Sequence, residues 1–125
     1  MILAVDIGNS DVVIGILNDE KLLHSWRLRT RVHQSTDEYE MLFRGMLFAC
    51  NFSLEETKGA VLSSVVPELT DVFSKLIENM VGQQPIKVSN ELFLGIKINT
   101  ENPSKVGQDR LINAAAAYQH YNTSL

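Results

Sequence analysis

The sequence predicts an α/β domain built on a mixed sheet, with three N-terminal antiparallel strands and flanking helices. Two apolar runs, Ile2-Leu3-Ala4-Val5 and Val12 to Leu17, enclose the short segment Asp6-Ile7-Gly8-Asn9-Ser10, as in a strand, a tight turn and a return strand. A third run, Lys21 to Arg29, alternates, with Leu22, Trp26 and Leu28 on one face and Leu23 and Ser25 on the other. Beyond Arg29, stretches with apolar residues at helical spacing take turns with short apolar segments, the order of elements that puts helices on the faces of a sheet.

Each element is punctuated. Asn18-Asp19 supplies the turn between the second and third strands. Ser35 followed by Glu38 forms a capping box, and Tyr39, Leu42, Phe43, Met46, Leu47 and Cys50 then recur at helical spacing. That spacing places Cys50 on the buried stripe of a helix, in a structural rather than a reactive role. Gly59 to Val66 reads as a buried, parallel strand and runs into Ser63-Ser64-Val65-Val66-Pro67. Pro67 suits the first turn of the next helix, whose stripe is Leu69, Val72, Phe73, Leu76, Ile77 and Met80 and whose stop is Gly82. Pro85 to Val88 and Leu94 to Ile98 read as further short strands. Leu111 to Tyr118 signals a final helix, in which the small residues Ala114 to Ala117 favour close packing against a neighbour.

Composition narrows the function. The chain has 125 residues, which suits one domain. A formal charge of -4 and a pI near 5.3, without a Lys/Arg cluster, argue against a nucleic-acid partner. Small anions need only a few oriented amides and one Arg. Cys50 is the only cysteine and has no second thiol for a disulfide or a zinc site, as suits a reducing cytoplasm. No basic region leads into a long apolar stretch, and no run reaches about 18 apolar residues, so a soluble cytoplasmic protein without a membrane partner is expected. His24, His33 and His120 share no metal-binding spacing. Asp37 with Glu38, and Glu55 with Glu56, are helix-start carboxylates favoured by the dipole.

Two segments offer chemistry. In the first turn, Gly8 lets the backbone approach a ligand, the amides of Gly8, Asn9 and Ser10 can point at phosphate oxygens, and Asp6 can face a metal ion. The same residues also make an ordinary hairpin turn. The second segment, Asn102-Pro103-Ser104-Lys105-Val106-Gly107-Gln108-Asp109-Arg110, precedes the last helix. Gly107 permits a close approach, Asp109 puts a carboxylate at the helix start, and Arg110 provides a fixed cation for an anionic group. A helix cap at Asp109 with Arg110 in a surface salt bridge would account for the same residues.

Taken together, Asp6-Ile7-Gly8-Asn9-Ser10, Ser63-Ser64-Val65-Val66-Pro67 and Asn102-Pro103 leading to Val106-Gly107-Gln108-Asp109-Arg110, with Asn113-Ala114 behind, give a sequence that resembles the type III pantothenate kinases. The resemblance spans essentially the whole chain. It implies an actin-like, ribonuclease H-like lobe of the actin-like ATPase and sugar-kinase superfamily. The implied activity is ATP-dependent phosphorylation of pantothenate to 4'-phosphopantothenate, the first committed step of coenzyme A synthesis, with Mg2+ and a monovalent cation, K+ or NH4+. Asp6, Ile7, Gly8, Asn9, Ser10, Asp11, Val12 and Val13 would form the first ATP phosphate loop, with Asp6 toward magnesium. Gly107, Gln108, Asp109 and Arg110 would line the pantothenate pocket. Asp109 matches the catalytic carboxylate that takes the proton of the attacking hydroxyl.

Some positions depart from the family pattern. Ser10 stands where Thr is frequent, Lys105 where Glu is common, Gln108 where a small residue is common, and Thr100 where many members carry a substrate-contacting Tyr. Members run to about twice this length, consistent with a two-lobed site. Residues 1–125 therefore read as the first lobe, without the second phosphate loop that also carries the monovalent-cation site, and little or no kinase activity is expected from this chain alone. A homodimer is expected of the complete protein. A regulatory or accessory protein on the same fold, and a kinase for another small molecule, are the alternative readings.

Overall fold

In a computed structural model, which describes residues 1–19, 21–88, 109–116, 118 and 119, β1 (Ile2–Ile7) and β2 (Asp11–Asn18) pair antiparallel, with Ile2 opposite Leu17 and Ile7 opposite Val12. β3 (Lys21–Arg29) continues the meander against β2. The turn between them holds Asp19 at φ 53, a left-handed conformation that Asp adopts more readily than bulky or branched residues. β4 (Gly59–Ser64) lies parallel to β1 on its other side, and β5 (Ile86–Lys87) lies parallel to β4. The five-stranded order is β3-β2-β1-β4-β5. β1 is central and buried throughout, which is why its sequence is apolar on both faces until Asp6.

The two-residue period of the strands divides the core. Leu3, Val5, Ile7, Val12, Ile14, Ile16, Ala60 and Leu62 face α1 (Thr36–Ala49) and α2 (Pro67–Val81). The capping box forms as the sequence requires: the Ser35 hydroxyl accepts from the Glu38 amide at 3.2 Å, and Glu38 accepts from the Ser35 amide at 3.1 Å. Ser35→Ala is expected to cost about 1 kcal/mol, read as a lower denaturant midpoint with an unchanged slope. From α1, Tyr39, Phe43 and Leu47 are buried, and Tyr39 meets Phe73 of α2 at a ring-centroid distance of 4.8 Å.

The helical stripe is narrower than the sequence spacing suggests. Leu42 is exposed, and Cys50 is the half-buried C-cap of α1 rather than a member of its buried stripe. Residues four apart define the packed line, and Asn51, at φ 55, turns the chain away before the stripe can extend. β4 also stops earlier than expected, at Ser64 instead of Val66. The Ser64 hydroxyl accepts from the Val66 amide at 3.1 Å and donates to the Val66 carbonyl at 2.9 Å, folding the backbone into the turn that feeds α2. Pro67 opens that helix, and Gly82, at φ 87, closes it. The strand expected at Pro85 to Val88 is present as the shorter β5.

On the opposite face, Ile2, Ala4, Val13, Leu17 and Val61 are covered by Leu111, Ala114, Ala115 and Tyr118. All four are helical and belong to α3, whose described residues are 109–116, 118 and 119, as the final helix signal predicted. This helix sits close because its seat is small. A Cβ at Gly15 would stand 2.6 Å from Leu111 Cδ1, and one at Gly59 would run into the Tyr118 ring. Gly59→Ala is therefore expected to destabilise the fold by about 1–3 kcal/mol through overpacking, with near-UV dichroism of the tyrosine region changing in step. The expected strand Leu94 to Ile98, along with His120, lies outside the described residues.

Candidate active site

The alternation that puts Ile2 and Ala4 under α3 puts Asp6 there too, at the carboxyl end of β1. Asp6 is buried, at 7 % exposure, and a buried carboxylate needs a partner. Arg110, on the first turn of the described α3 residues, supplies it. Nε donates to Asp6 Oδ2 at 2.6 Å and Nη2 to Oδ1 at 3.1 Å, the two-pronged geometry in which a guanidinium matches a carboxylate. The two side chains are only 16 % and 9 % exposed. Arg110 is thus neither a surface salt bridge nor a residue apart from the hairpin. It ties the two chemical segments of the sequence together.

The hairpin itself is built from ordinary bonds. The Gly8 amide donates to the Asp11 carbonyl at 2.9 Å, so this amide is taken up by the turn and is not the phosphate donor that the sequence suggested. Gly8 is needed for space: a Cβ there would lie 3.2 Å from the Asp11 carbonyl oxygen. Asn9 and Ser10 form the exposed tip, and among the described residues their amides have no backbone acceptor. Thr30, just past β3, braces this tip. Its amide donates to the Ser10 carbonyl at 2.9 Å and its hydroxyl to the Gly8 carbonyl at 2.7 Å. Asp11 pairs with Arg27 at 2.8 Å, both partly exposed, so the pair orients the hairpin more than it stabilises it.

Of the other sequence candidates, Ile7 and Val12 are fully buried against α1 and α2, and Val13 packs under α3. Their side chains hold the strands, leaving only backbone near the hairpin mouth. Asp109 heads the described helical residues beside Arg110 and is half-buried. Thr100, Gly107 and Gln108 lie outside the described residues. Sequence reasoning missed Thr30 as the brace, because only the β2–β3 register brings it to Ser10. It also missed the Asp6–Arg110 pair across 104 residues; the usable signal was that a carboxylate in an otherwise buried strand demands a cation.

The donor set has a definite capacity. Among the described residues, no group of three or more His, Cys, Asp or Glu could hold a metal ion. Asp6 is a single carboxylate, and Arg110 occupies one direction on each of its oxygens. A carboxylate has about four acceptor directions, so Asp6 fits a magnesium ion carried by phosphates and their bound waters. It does not fit a metal held by protein ligands alone. Among the described residues, no helix is long and apolar enough to cross a membrane.

This α/β chain brings Asp6 of the hairpin and Arg110 of α3 together at the carboxyl ends of the parallel strands β1 and β4, the end at which open α/β sheets bind ligands. Its fold recurs in solved structures. A candidate N-acetylglucosamine kinase from Porphyromonas gingivalis superposes with a TM-score of 0.54 at 17 % identity, covering 74 % of this chain and 35 % of that one. Thermus thermophilus RuvC, solved with a Holliday junction substrate, superposes with a TM-score of 0.59 at 11 % identity, covering 96 % of this chain and 94 % of that one. These likenesses concern the fold alone.

The chain belongs to the type III pantothenate kinase family, whose model matches residues 2–125. The type III pantothenate kinase of Geobacter sulfurreducens is 38 % identical over 125 residues, 100 % of this chain and 49 % of the relative. That of Syntrophobacter fumaroxidans is 37 % identical over 121 residues, 97 % of this chain and 47 % of the relative. The chain therefore spans about half the length of the relatives it matches.

Proposed function

We propose that this chain is the first lobe of an ATP-dependent pantothenate kinase that makes 4'-phosphopantothenate. The observation that supports this reading most is the Asp6–Arg110 pair, which joins the phosphate-hairpin residues to the Asp109 segment in a chain of the type III family. The hairpin tip, where the amides of Asn9 and Ser10 have no backbone acceptor among the described residues, receives the phosphates of ATP. Asp6 would help hold the magnesium that accompanies them, and that ion would neutralise charge on the phosphoryl oxygens. Arg110 holds the helix start against Asp6 and presents positive charge to the anionic substrate. Gly107, Gln108 and Thr100 contribute to the pantothenate pocket.

Asp109 then acts on the acceptor. Its carboxylate accepts a hydrogen bond from the primary hydroxyl of pantothenate, aims that oxygen at the γ-phosphorus, and takes the proton as the new P–O bond forms and the bond to ADP breaks. Phosphoryl transfer depends mainly on such positioning and charge neutralisation. A second half, of about the length by which the relatives exceed this chain, would supply the second phosphate loop, the site for K+ or NH4+, and closure over ATP. The complete enzyme works in the cytoplasm as a homodimer.

The test is growth. A bacterium whose own pantothenate kinase can be switched off is supplied with this chain joined to the C-terminal half of the Geobacter sulfurreducens relative. Growth restored by the fusion, and not by its Asp109→Asn form, is the expected result. Failure of a folded fusion to restore growth would count against pantothenate as the substrate.

A further inference from the structure

The two serines that end β4 have different circumstances. Successive strand residues face opposite sides of a sheet, so Ser64 turns toward the α1/α2 layer and closes the turn into α2 through its bonds to Val66. Ser63 turns toward α3. It is 1 % exposed, and its hydroxyl has no hydrogen-bond partner among the described residues. A buried hydroxyl left without a partner is costly and calls for an explanation. Its neighbour provides one, since Ser63 stands directly opposite Asp6 in the parallel β1–β4 register. Adjacent strands lie about 4.8 Å apart, so the two side chains stand next to each other on the α3 face. Gln34, Thr57 and Ser74 also bury a side-chain atom without a partner, but none of them is in register with a residue of the candidate site.

We propose that Ser63 is a positioning residue for Asp6: its hydroxyl takes hold of the carboxylate when that carboxylate turns from Arg110 toward the magnesium-bearing phosphates. The proposal rests on the kinase reading above. As the structure stands, both Asp6 oxygens accept from Arg110. Turning the carboxylate toward a hydrated cation weakens at least one of these charge-assisted bonds inside a buried site, where losing a donor is expensive. A hydroxyl already in place and not engaged elsewhere compensates. The Ser63 O–H then donates to the Asp6 oxygen whose bond to Arg110 has weakened, while Arg110 keeps its other bond to the carboxylate.

The experiment follows ATP binding to this chain by NMR at millimolar nucleotide, with and without magnesium, on wild type, Ser63→Ala and Ser63→Thr. Ser63→Ala is expected to keep or raise the melting temperature, because it removes a hydroxyl without a partner. It is also expected to weaken magnesium-dependent ATP binding about tenfold, as for a lost hydrogen bond to a charged group, and to leave magnesium-free binding unchanged. Ser63→Thr, which keeps the hydroxyl, restores binding. Wild-type affinity in Ser63→Ala, or an equal loss with and without magnesium, overturns the role of Ser63 and leaves the kinase reading standing. Absence of any magnesium-dependent binding by the wild-type chain also overturns the role of Ser63, and the growth test of the fusion decides the kinase reading separately.

Discussion

Asp109→Asn, introduced into this chain fused to the C-terminal half of a family member, is expected to lower the turnover of pantothenate by about 10²–10⁴, the usual loss when a general base is removed. The amide keeps the size and much of the hydrogen bonding of the carboxylate but cannot take the proton. The Michaelis constant for pantothenate should move far less than turnover, since the amide oxygen still accepts from the hydroxyl. Asp109 is half-buried at the head of α3, so thermal stability is expected to change little. Steady-state kinetics and a melting curve on the same preparation check both halves. A variant that turns over as fast as the parent would remove Asp109 from the chemistry.

The second large effect concerns stability. Arg110→Leu leaves the Asp6 carboxylate, 9 % exposed, without the guanidinium that bonds both of its oxygens. Removing one partner of a buried pair costs about 3–5 kcal/mol, a large part of the ~5–15 kcal/mol that holds a typical domain together. Urea unfolding should show this as a clear fall in midpoint. Adding Asp6→Asn should recover a substantial share, because the orphaned charge is then gone. If the double variant is no more stable than Arg110→Leu, the stabilising contribution lies in the arginine's packing and not in the ion pair. Arg110→Lys should fall between, keeping the charge and losing the two-pronged fit.

The strands and helices were legible because their signals are local. The Ser35–Glu38 box, Pro67 and Gly82 each fix a boundary through the backbone around them, and each stands where the sequence placed it. The alternation of β3, by contrast, fails at Leu22, which the irregularity in the β2–β3 register turns to the α3 face, away from Trp26 and Leu28. Where local spacing was extended by one more turn, at Cys50, or by two more residues, at Val66, it overshot. Asn51 in one case and the Ser64 hydroxyl in the other redirect the chain. The hairpin was legible as a turn, although its closing bond uses the Gly8 amide that the sequence assigned to phosphate.

The site was less accessible to that reasoning. Asp6 and Arg110 were each named from their own neighbourhoods, and their pairing depends on how β1 and α3 pack. That packing is decided by the absence of side chains at Gly15 and Gly59 and by the small Ala114 and Ala115. Ser63 and Thr30 became visible only through register, since nothing in their local sequence distinguishes a hydroxyl that closes a turn from one that faces a carboxylate. Family membership, carried by motifs at a shared spacing, connected these pieces to a reaction.

On the proposed reading, the hairpin of Asp6 and the helical residues Asp109 and Arg110 form one half of a site for phosphoryl transfer to pantothenate. Its most direct test is mass-spectrometric detection of 4'-phosphopantothenate after incubation with ATP, magnesium and potassium, for this chain alone and for its fusion to the C-terminal half of a relative. Product from the fusion, with little or none from the chain alone, is the predicted result. A folded fusion that binds ATP yet makes no 4'-phosphopantothenate, or a chain that makes it as fast by itself, would contradict the claim.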